Sequence, residues 1–368
     1  MKNKHLVMLL LSSCCLAACV DSKYDLSDVN TDDAVMGESW VAPLGMGYVT
    51  SDDVVNVEKV PSIREVDGAY VMIYDGEMKI KGKSLRAASD KVEIASEDIT
   101  TGDIDGLFDG DFVLALTNPH ITLKSNVKNA SLDCSLSIEA ENTSKKEATS
   151  SDFTLSTVSP NIWIGPLDPK TDAFKFVKNE KLPGIVQIVP QKIHLSLSAD
   201  SKQWTNAPAD ALSELRYAVE LPLTPAPEFS AVSVERIEDA FDEDFVDYIF
   251  SDGSARIYGE VTNEMPFDMS IEMVIMDENN VPVDIQFPAQ EVKGQSGEVI
   301  FEITKEDMPK MKDARHIDLN LHLTGRDQGE ALKKGQKTTF NLKLKKEGGI
   351  FRVGSWQNGI THLFIPFV

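Results

Sequence analysis

Apolar and polar residues alternate with a period of two along much of the chain. Val71 and Ile73 precede Asp75-Gly76, and Met78 and Ile80 follow. Asp-Gly favours the positive φ angles of a type I′ turn, so this spacing predicts a hairpin. Ile121 and Leu123 alternate, as do Leu132, Cys134, Leu136 and Ile138, then Ile193, Leu195 and Leu197. Later runs are Phe267, Met269, Ile271, Met273 and Ile275, then Ile317, Leu319, Leu321 and Leu323, then Phe340, Leu342 and Leu344. Each run puts apolar side chains on one face and Ser, Thr, Asp, Lys or Asn on the other, the pattern of antiparallel strands with one buried face. Helical patterns are short. Residues 207–217 hold Leu212 and Leu215 among good helix formers, and Phe241, Phe245 and Ile249 lie four apart. Thr304-Lys305-Glu306-Asp307 reads as a cap ahead of Met308 and Met311, a short crossover between strands. Strand and helix do not alternate over any length, which argues against a doubly wound α/β fold.

Two segments look repeated. Asn126-Val127-Lys128-Asn129 precedes Leu132-Asp133-Cys134-Ser135-Leu136, and Glu260-Val261-Thr262-Asn263 precedes Phe267-Asp268-Met269-Ser270-Ile271. One gap aligns Asn129 with Asn263 and Asp133 with Asp268, with a polar turn between two strands in each copy. Pro208, Pro222, Pro225 and Pro227 cluster near mid-chain and place a domain boundary within 205–235. The expected organisation is a signal peptide at 1–18, an acidic tether at 19–35, an N-terminal β domain at 36–220 and a C-terminal β-sandwich domain at 221–368.

The amino terminus supports the first two segments. Lys2 and Lys4 form a basic start, and residues 6–18 are an apolar and small-residue run of 13 residues. A membrane-spanning helix needs roughly 20 apolar residues, so the run reads as a secretory signal. Leu16-Ala17-Ala18-Cys19 then resembles the bacterial lipobox. That resemblance implies a diacylglycerol thioether on Cys19, cleavage before it and further acylation, such as palmitate, on the new amine. Two or more acyl chains give stable anchoring where one gives only marginal binding. Asp21, Asp25, Asp28, Asp32 and Asp33 face only Lys23 in the next stretch, too polar to fold alone.

Charge then narrows the partners. The whole chain carries a formal charge of −23. Without residues 1–18 its 36 Lys and Arg become 34 against 59 Asp and Glu, a formal charge of −25. That balance excludes nucleic-acid binding by phosphate neutralisation and a polybasic membrane patch. Of four cysteines, Cys14 and Cys15 leave with the signal and Cys19 takes the lipid, so Cys134 cannot form an intramolecular bridge. Stability must come from a packed core, and the alternation around Cys134 places its thiol on the buried face.

Few residues suggest chemistry. His316, Asp318, Asn320 and His322 share one strand face, but six residues of strand separate the histidines by roughly 20 Å, too far for one ion. Asp103, Asp105, Asp109 and Asp111 around Gly106 and Gly110 are the calcium candidate, although the 12-residue loop with its closing Glu is absent. No nucleophile elbow or phosphate-cradling loop occurs. No catalytic residue and no cofactor is assigned. Trp163 and Trp204 lie near turn-rich segments where stacking on sugars competes with packing. Residues 363–368 read as an apolar last strand, which doubles as a pairing hazard when exposed.

Tyr217-Ala218-Val219-Glu220-Leu221-Pro222-Leu223, the segment from Tyr258 to Phe267, and Gly348-Gly349-Ile350 resemble the back half of Bacteroidetes surface and outer-membrane lipoproteins. Tyr24-Asp25-Leu26-Ser27-Asp28 and Trp40-Val41-Ala42-Pro43-Leu44-Gly45 are similar to the same group. The resemblance implies two immunoglobulin-like antiparallel β-sandwich domains with few short helices, and brings no activity. The expected protein is all-β and non-catalytic. It is anchored through lipid on Cys19, works at the outer membrane or the cell surface, and binds a glycan or protein or assembles there. Two alternatives stand beside this: a glycan hydrolase with a carboxylate pair, and a structural subunit of a surface fibre.

Overall fold

Each alternating run becomes a strand because a pleated chain buries every second side chain and leaves the rest to water. The structure, a computed structural model, describes residues 39–82, 90–108, 110–241, 246, 250 and 253–347. Cys19, Asp109, Phe245, Ile249, Gly348-Gly349-Ile350 and residues 363–368, named above, lie outside them. The protein is all-β, with short helices at strand ends.

The described residues form four sheets. The first runs β11 (Lys175–Lys178), β10 (Asn161–Gly165), β7 (His120–Ser125), β13 (Leu215–Pro222), β3 (Ala69–Glu77), β2 (Ile63–Val66). The second runs β4 (Lys79–Ile80), β5 (Lys91–Thr100), β12 (Lys192–Asp200), β8 (Ser131–Glu141), β9 (Lys146–Ser156). The third runs β1 (Ser39–Thr50), β20 (Lys337–Glu347), β15 (Ser254–Asn263), β18 (Ser296–Ile303). The fourth runs β17 (Gln290–Val292), β16 (Phe267–Met276), β19 (His316–Gly325), β14 (Ser230–Ile237), β6 (Phe112–Val113).

These orders repeat. Number β1, β14, β15, β16, β17, β18, β19 and β20 from first to eighth. The third sheet then reads first-eighth-third-sixth, and the fourth reads fifth-fourth-seventh-second. Number β3, β5, β7, β8, β9, β10, β12 and β13 likewise, and the first and second sheets give the same two orders, with β2, β4 and β11 added at their edges. This is the strand order of the eight-stranded jelly roll, traced twice. It corrects the immunoglobulin-like expectation, whose sheets would read first-second-fifth-fourth and third-sixth-seventh. Alternation alone is common to both folds, and only long-range pairing separates them. The second tracing takes its first strand, β1, from upstream of the whole first set, and β6 extends its sheet from within that set. The boundary drawn at 220/221 falls inside β13, which pairs with β3 and β7.

Local chemistry explains several departures. The hairpin turn is Asp67-Gly68, not Asp75-Gly76: φ is 52° at Asp67 and 79° at Gly68, joining β2 to β3. Gly76 lies within β3 opposite Tyr217, and a Cβ there would sit 2.8 Å from the Tyr217 hydroxyl. That glycine makes room for a side chain rather than a turn. The helix expected over 207–217 sits upstream, as α3 (Ser201–Asn206), because the Asp200 carboxylate accepts from the Lys202 and Gln203 backbone amides and caps it. The crossover after Thr304 is present: its hydroxyl donates to Asp307, Met308 and Met311 are buried, and a 3-10 turn follows at Lys310–Asp313. Two further helices are α1 (Ser51–Val54), closed by a Thr50–Asp53 capping box, and α2 (Leu182–Gln187).

The repeated segments are equivalent in topology, since each leads from the third strand of its set to the fourth. Asp133 and Asp268 both sit at the start of the fourth strand and accept hydrogen bonds, from Thr154 and Gln203 in one case and Gly294 and Arg326 in the other. Cys134 and Met269 are both buried. The asparagines align differently. Asn263 accepts from Met265 N and Thr338 Oγ1, and so ties the third strand to the eighth. Its counterpart is Asn126, which accepts from Ser213 N and Glu214 N at the entry to β13. Asn129 occupies a left-handed turn position (φ 49°) instead.

Candidate binding face

The second sheet turns Ile193, Leu195 and Leu197 of β12, and Leu132, Leu136 and Ile138 of β8, into the core. Its other face is therefore set by the residues between them. Register aligns Ser96, Ser196, Ser137 and Ser150 across β5, β12, β8 and β9, with Lys79 of β4 beside Ser96. The next row on one side is Asp98, His194, Glu139 and Ala148, and beyond it Thr100, Lys192, Glu141 and Lys146. On the other side lie Glu93, Ser198, Ser135 and Asp152. A bulge in β5 makes this possible: Ile94 and Ala95 are both buried opposite Leu197, so Glu93 returns to the outer face.

The rows differ in height. Serine side chains are short, whereas Asp98, His194 and Glu139 on one side are long and charged, and on the other only the end positions Glu93 and Asp152 are; the serines therefore floor a shallow trough walled on the Asp98 side and open at Ser198 and Ser135 on the other. At ~4.8 Å per strand, four serines span about 14 Å. One cleft opens onto it and a second lies along its charged side. The first, of about 550 Å³, is lined by Ser137, Ala148, Thr149, Ser150, Asn179 and the 178–181 segment. The second, of about 290 Å³, is lined by Asp98, Glu139, Glu141, Lys146, Lys192 and His194.

Each wall carboxylate but Glu141 meets a donor. His194 Nδ1 lies 2.6 Å from Asp98 Oδ1; a carboxylate only accepts, so Nδ1 carries the proton. Lys192 Nζ is 3.1 Å from Asp98 Oδ2, and Lys146 Nζ is 2.7 Å from Glu139 Oε2. Lys81 pairs with Glu93, and Lys91 Nζ is 2.9 Å from Asp152 Oδ1. Ser96 and Ser196 also lower the Glu93 carboxyl, and Ser135 that of Asp152. These donors hold the carboxyls below their ordinary range: His194 then Lys192 at Asp98, Lys146 at Glu139, Lys81 at Glu93, and Lys91 at Asp152. Asp133, through Gln203 and Thr154, and Glu180, through Lys178, behave alike at the margins. Among the described carboxyls lowered in this way, only Asp307 lies elsewhere.

The residues singled out in the sequence are dispersed. Asp103 Oδ1 accepts from the Tyr74 hydroxyl at 2.7 Å and Oδ2 from Ser62 N at 3.3 Å, while Asp105 Oδ2 accepts from Gln191 Nε2 at 3.2 Å. Both stand in a 3-10 turn at Gly102–Gly106, turned to separate partners. Asp111 is exposed. Among the described residues no three His, Cys, Asp or Glu side chains are grouped to hold a metal ion. His316, Asp318, Asn320 and His322 share the outer face of β19, as alternation requires. Asp318 is not simply solvated: it is 8% exposed, and Arg236 grips it with Nε at 2.6 Å and Nη2 at 2.8 Å. His316 Nδ1 accepts from Asp239 N, so its 3.1 Å approach to Glu238 is not an ion pair through that nitrogen. Cys134 is buried, and burial pushes its thiol up to about 12. Trp204 is buried in α3. Trp163 stacks on His120 with ring centroids 3.7 Å apart and 15° between planes, and meets Phe174 edge-on.

No curated protein sequence matches the chain. Among solved structures, the VP2 subviral particle of infectious bursal disease virus is similar at 10% identity, covering 89% of this chain and 76% of that one, with a TM-score of 0.22. Broad Bean Stain Virus gives 9% identity, 80% and 95% coverage and a TM-score of 0.19. PNGase F, a glycosylasparaginase from Flavobacterium meningosepticum, gives 9% identity, 75% and 96% coverage and a TM-score of 0.25. Likenesses of this strength carry neither fold nor activity to this chain. The sequence itself matches a family model over residues 24–352, a span that contains every strand above, and the chain belongs to that family, described as "Protein of unknown function (DUF4621)".

Proposed function

We propose that this is a lipid-anchored protein of the cell envelope that works as a non-catalytic binding module at the outer membrane, facing the cell surface. The observation that carries the reading is Leu16-Ala17-Ala18-Cys19 closing a 13-residue signal-like run, followed by an acidic tether. Each pair of sheets is read as one sandwich module. The N-terminal module holds the polar face of the second sheet, an ordered set of hydrogen-bonding groups. A glycan hydrolase needs one carboxyl kept protonated as the acid. Asp98 and Glu139 flank His194, but their neighbours lower both, the opposite of the raised value an acid needs, which at this pair favours holding a ligand over cleaving it.

Metabolic labelling with palmitate tests the anchor. Wild-type protein should take up label and partition into detergent, and Cys19→Ala should do neither. An unlabelled wild type that stays in the aqueous phase would sink the reading. Proteinase shaving of intact cells should remove the protein, and full protection would move the binding function to the periplasmic side.

A further inference from the structure

We propose that the outer face of the β4-β5-β12-β8-β9 sheet binds a neutral, extended glycan laid across the strands along the row Ser96, Ser196, Ser137 and Ser150. This rests on the binding-module reading and names its ligand class. Two geometric observations carry it, and charge adds a third. The floor is built of hydroxyls in register on four consecutive strands, and a hydroxyl donates once and accepts twice, as sugar hydroxyls do. The clefts at Ser137/Ser150 and at Asp98/Glu139/His194 share the β8–β9 strip, where Ala148 stands opposite Glu139, so the polar surface continues beyond the floor.

Charge selects the occupant. Asp98, Glu139, Glu93 and Asp152 each meet a cation from the same face, leaving directed acceptors and donors but little net field to attract an ion. A chain with a mature charge of −25 also repels polyanions. A hydroxyl-rich, uncharged chain satisfies such a surface without breaking its ion pairs. A peptide strand would instead seek a free sheet edge, where backbone groups are unpaired.

The test uses the detergent-solubilised full chain on immobilised mannan, glucan, xylan and, as polyanion, pectin. The expected result is retention on at least one neutral polysaccharide and none on pectin. Ser137→Arg combined with Ser196→Arg should lower that affinity at least tenfold, and Ser270→Arg on the other module's outer face should leave it unchanged. Should the double variant fail to fold, Ser150→Arg on edge strand β9 replaces it, with the same expected loss. Retention by pectin alone, by no polysaccharide, or equally by wild type and the folded serine variants would overturn the proposal. Palmitate labelling of the same preparations separates that failure from a failure of the anchored-module reading, since none of these substitutions touches Cys19.

Discussion

At the scale of the residue, side chains that tie strands together matter more than those that caught the eye as chemistry. Asn263 is 1% exposed, donates to the Phe267 carbonyl, and receives Met265 N and Thr338 Oγ1. Removing it strands buried donors and acceptors, so Asn263→Ala should cost about 2–4 kcal/mol. Asn129→Gly keeps the left-handed backbone and should stay within ~0.5 kcal/mol of wild type. Urea melts of the two variants check the pair, and equal losses would mean that the gap placed between the repeats was right after all. Cys134 was readable from alternation alone, and its buried, elevated thiol should resist thiol reagents until the protein unfolds, as a kinetic labelling assay would record. Asp75-Gly76 was misread because two Asp-Gly pairs lie eight residues apart, and nothing local says which one turns. The deciding fact is Tyr217, 141 positions from Gly76 in sequence and beside it in space.

At the scale of the element, strand identity was legible and register was not. Alternation located β8, β12, β16 and β19 and told which side chains face inward. It could not align Ser96 with Ser196, because that depends on pairing between strands a hundred residues apart and on a bulge at Ile94 and Ala95. The candidate face was thus present in the sequence only as scattered serines. Its ion pairs give a pH signature. The folded-state values of Glu93, Asp98, Asp133, Glu139 and Asp152 lie below their unfolded ones, so the stability they add is complete above the ordinary carboxylate range near pH ~4 and is lost as pH falls through the lowered values. Hydrogen exchange on acidification from pH 5 should therefore release the amides of β5, β8, β9 and β12 before those of β16 and β19. The reverse order would show that these exposed pairs contribute nothing.

At the scale of the whole molecule, two tracings of one strand order share a single chain, and the second is completed by a strand from the first 50 residues. A chain starting at 221 lacks β1 and β6 and should show no cooperative melt. Deleting residues 39–50 from the full chain should raise exchange in β20 and β15 while sparing β7 and β8, by mass spectrometry of exchanged peptides. Retained protection in β20 would mean that β1 is dispensable. The placement of β1 also has a mechanical meaning. In sequence the proposed tether is followed by β1, whose neighbour is β20. Tension between the membrane and a load on the N-terminal module would then not travel along the chain in sequence order. It would enter at the far module, pulling first on the β1–β20 pairing, so that the strand nearest the anchor acts as the molecule's fuse.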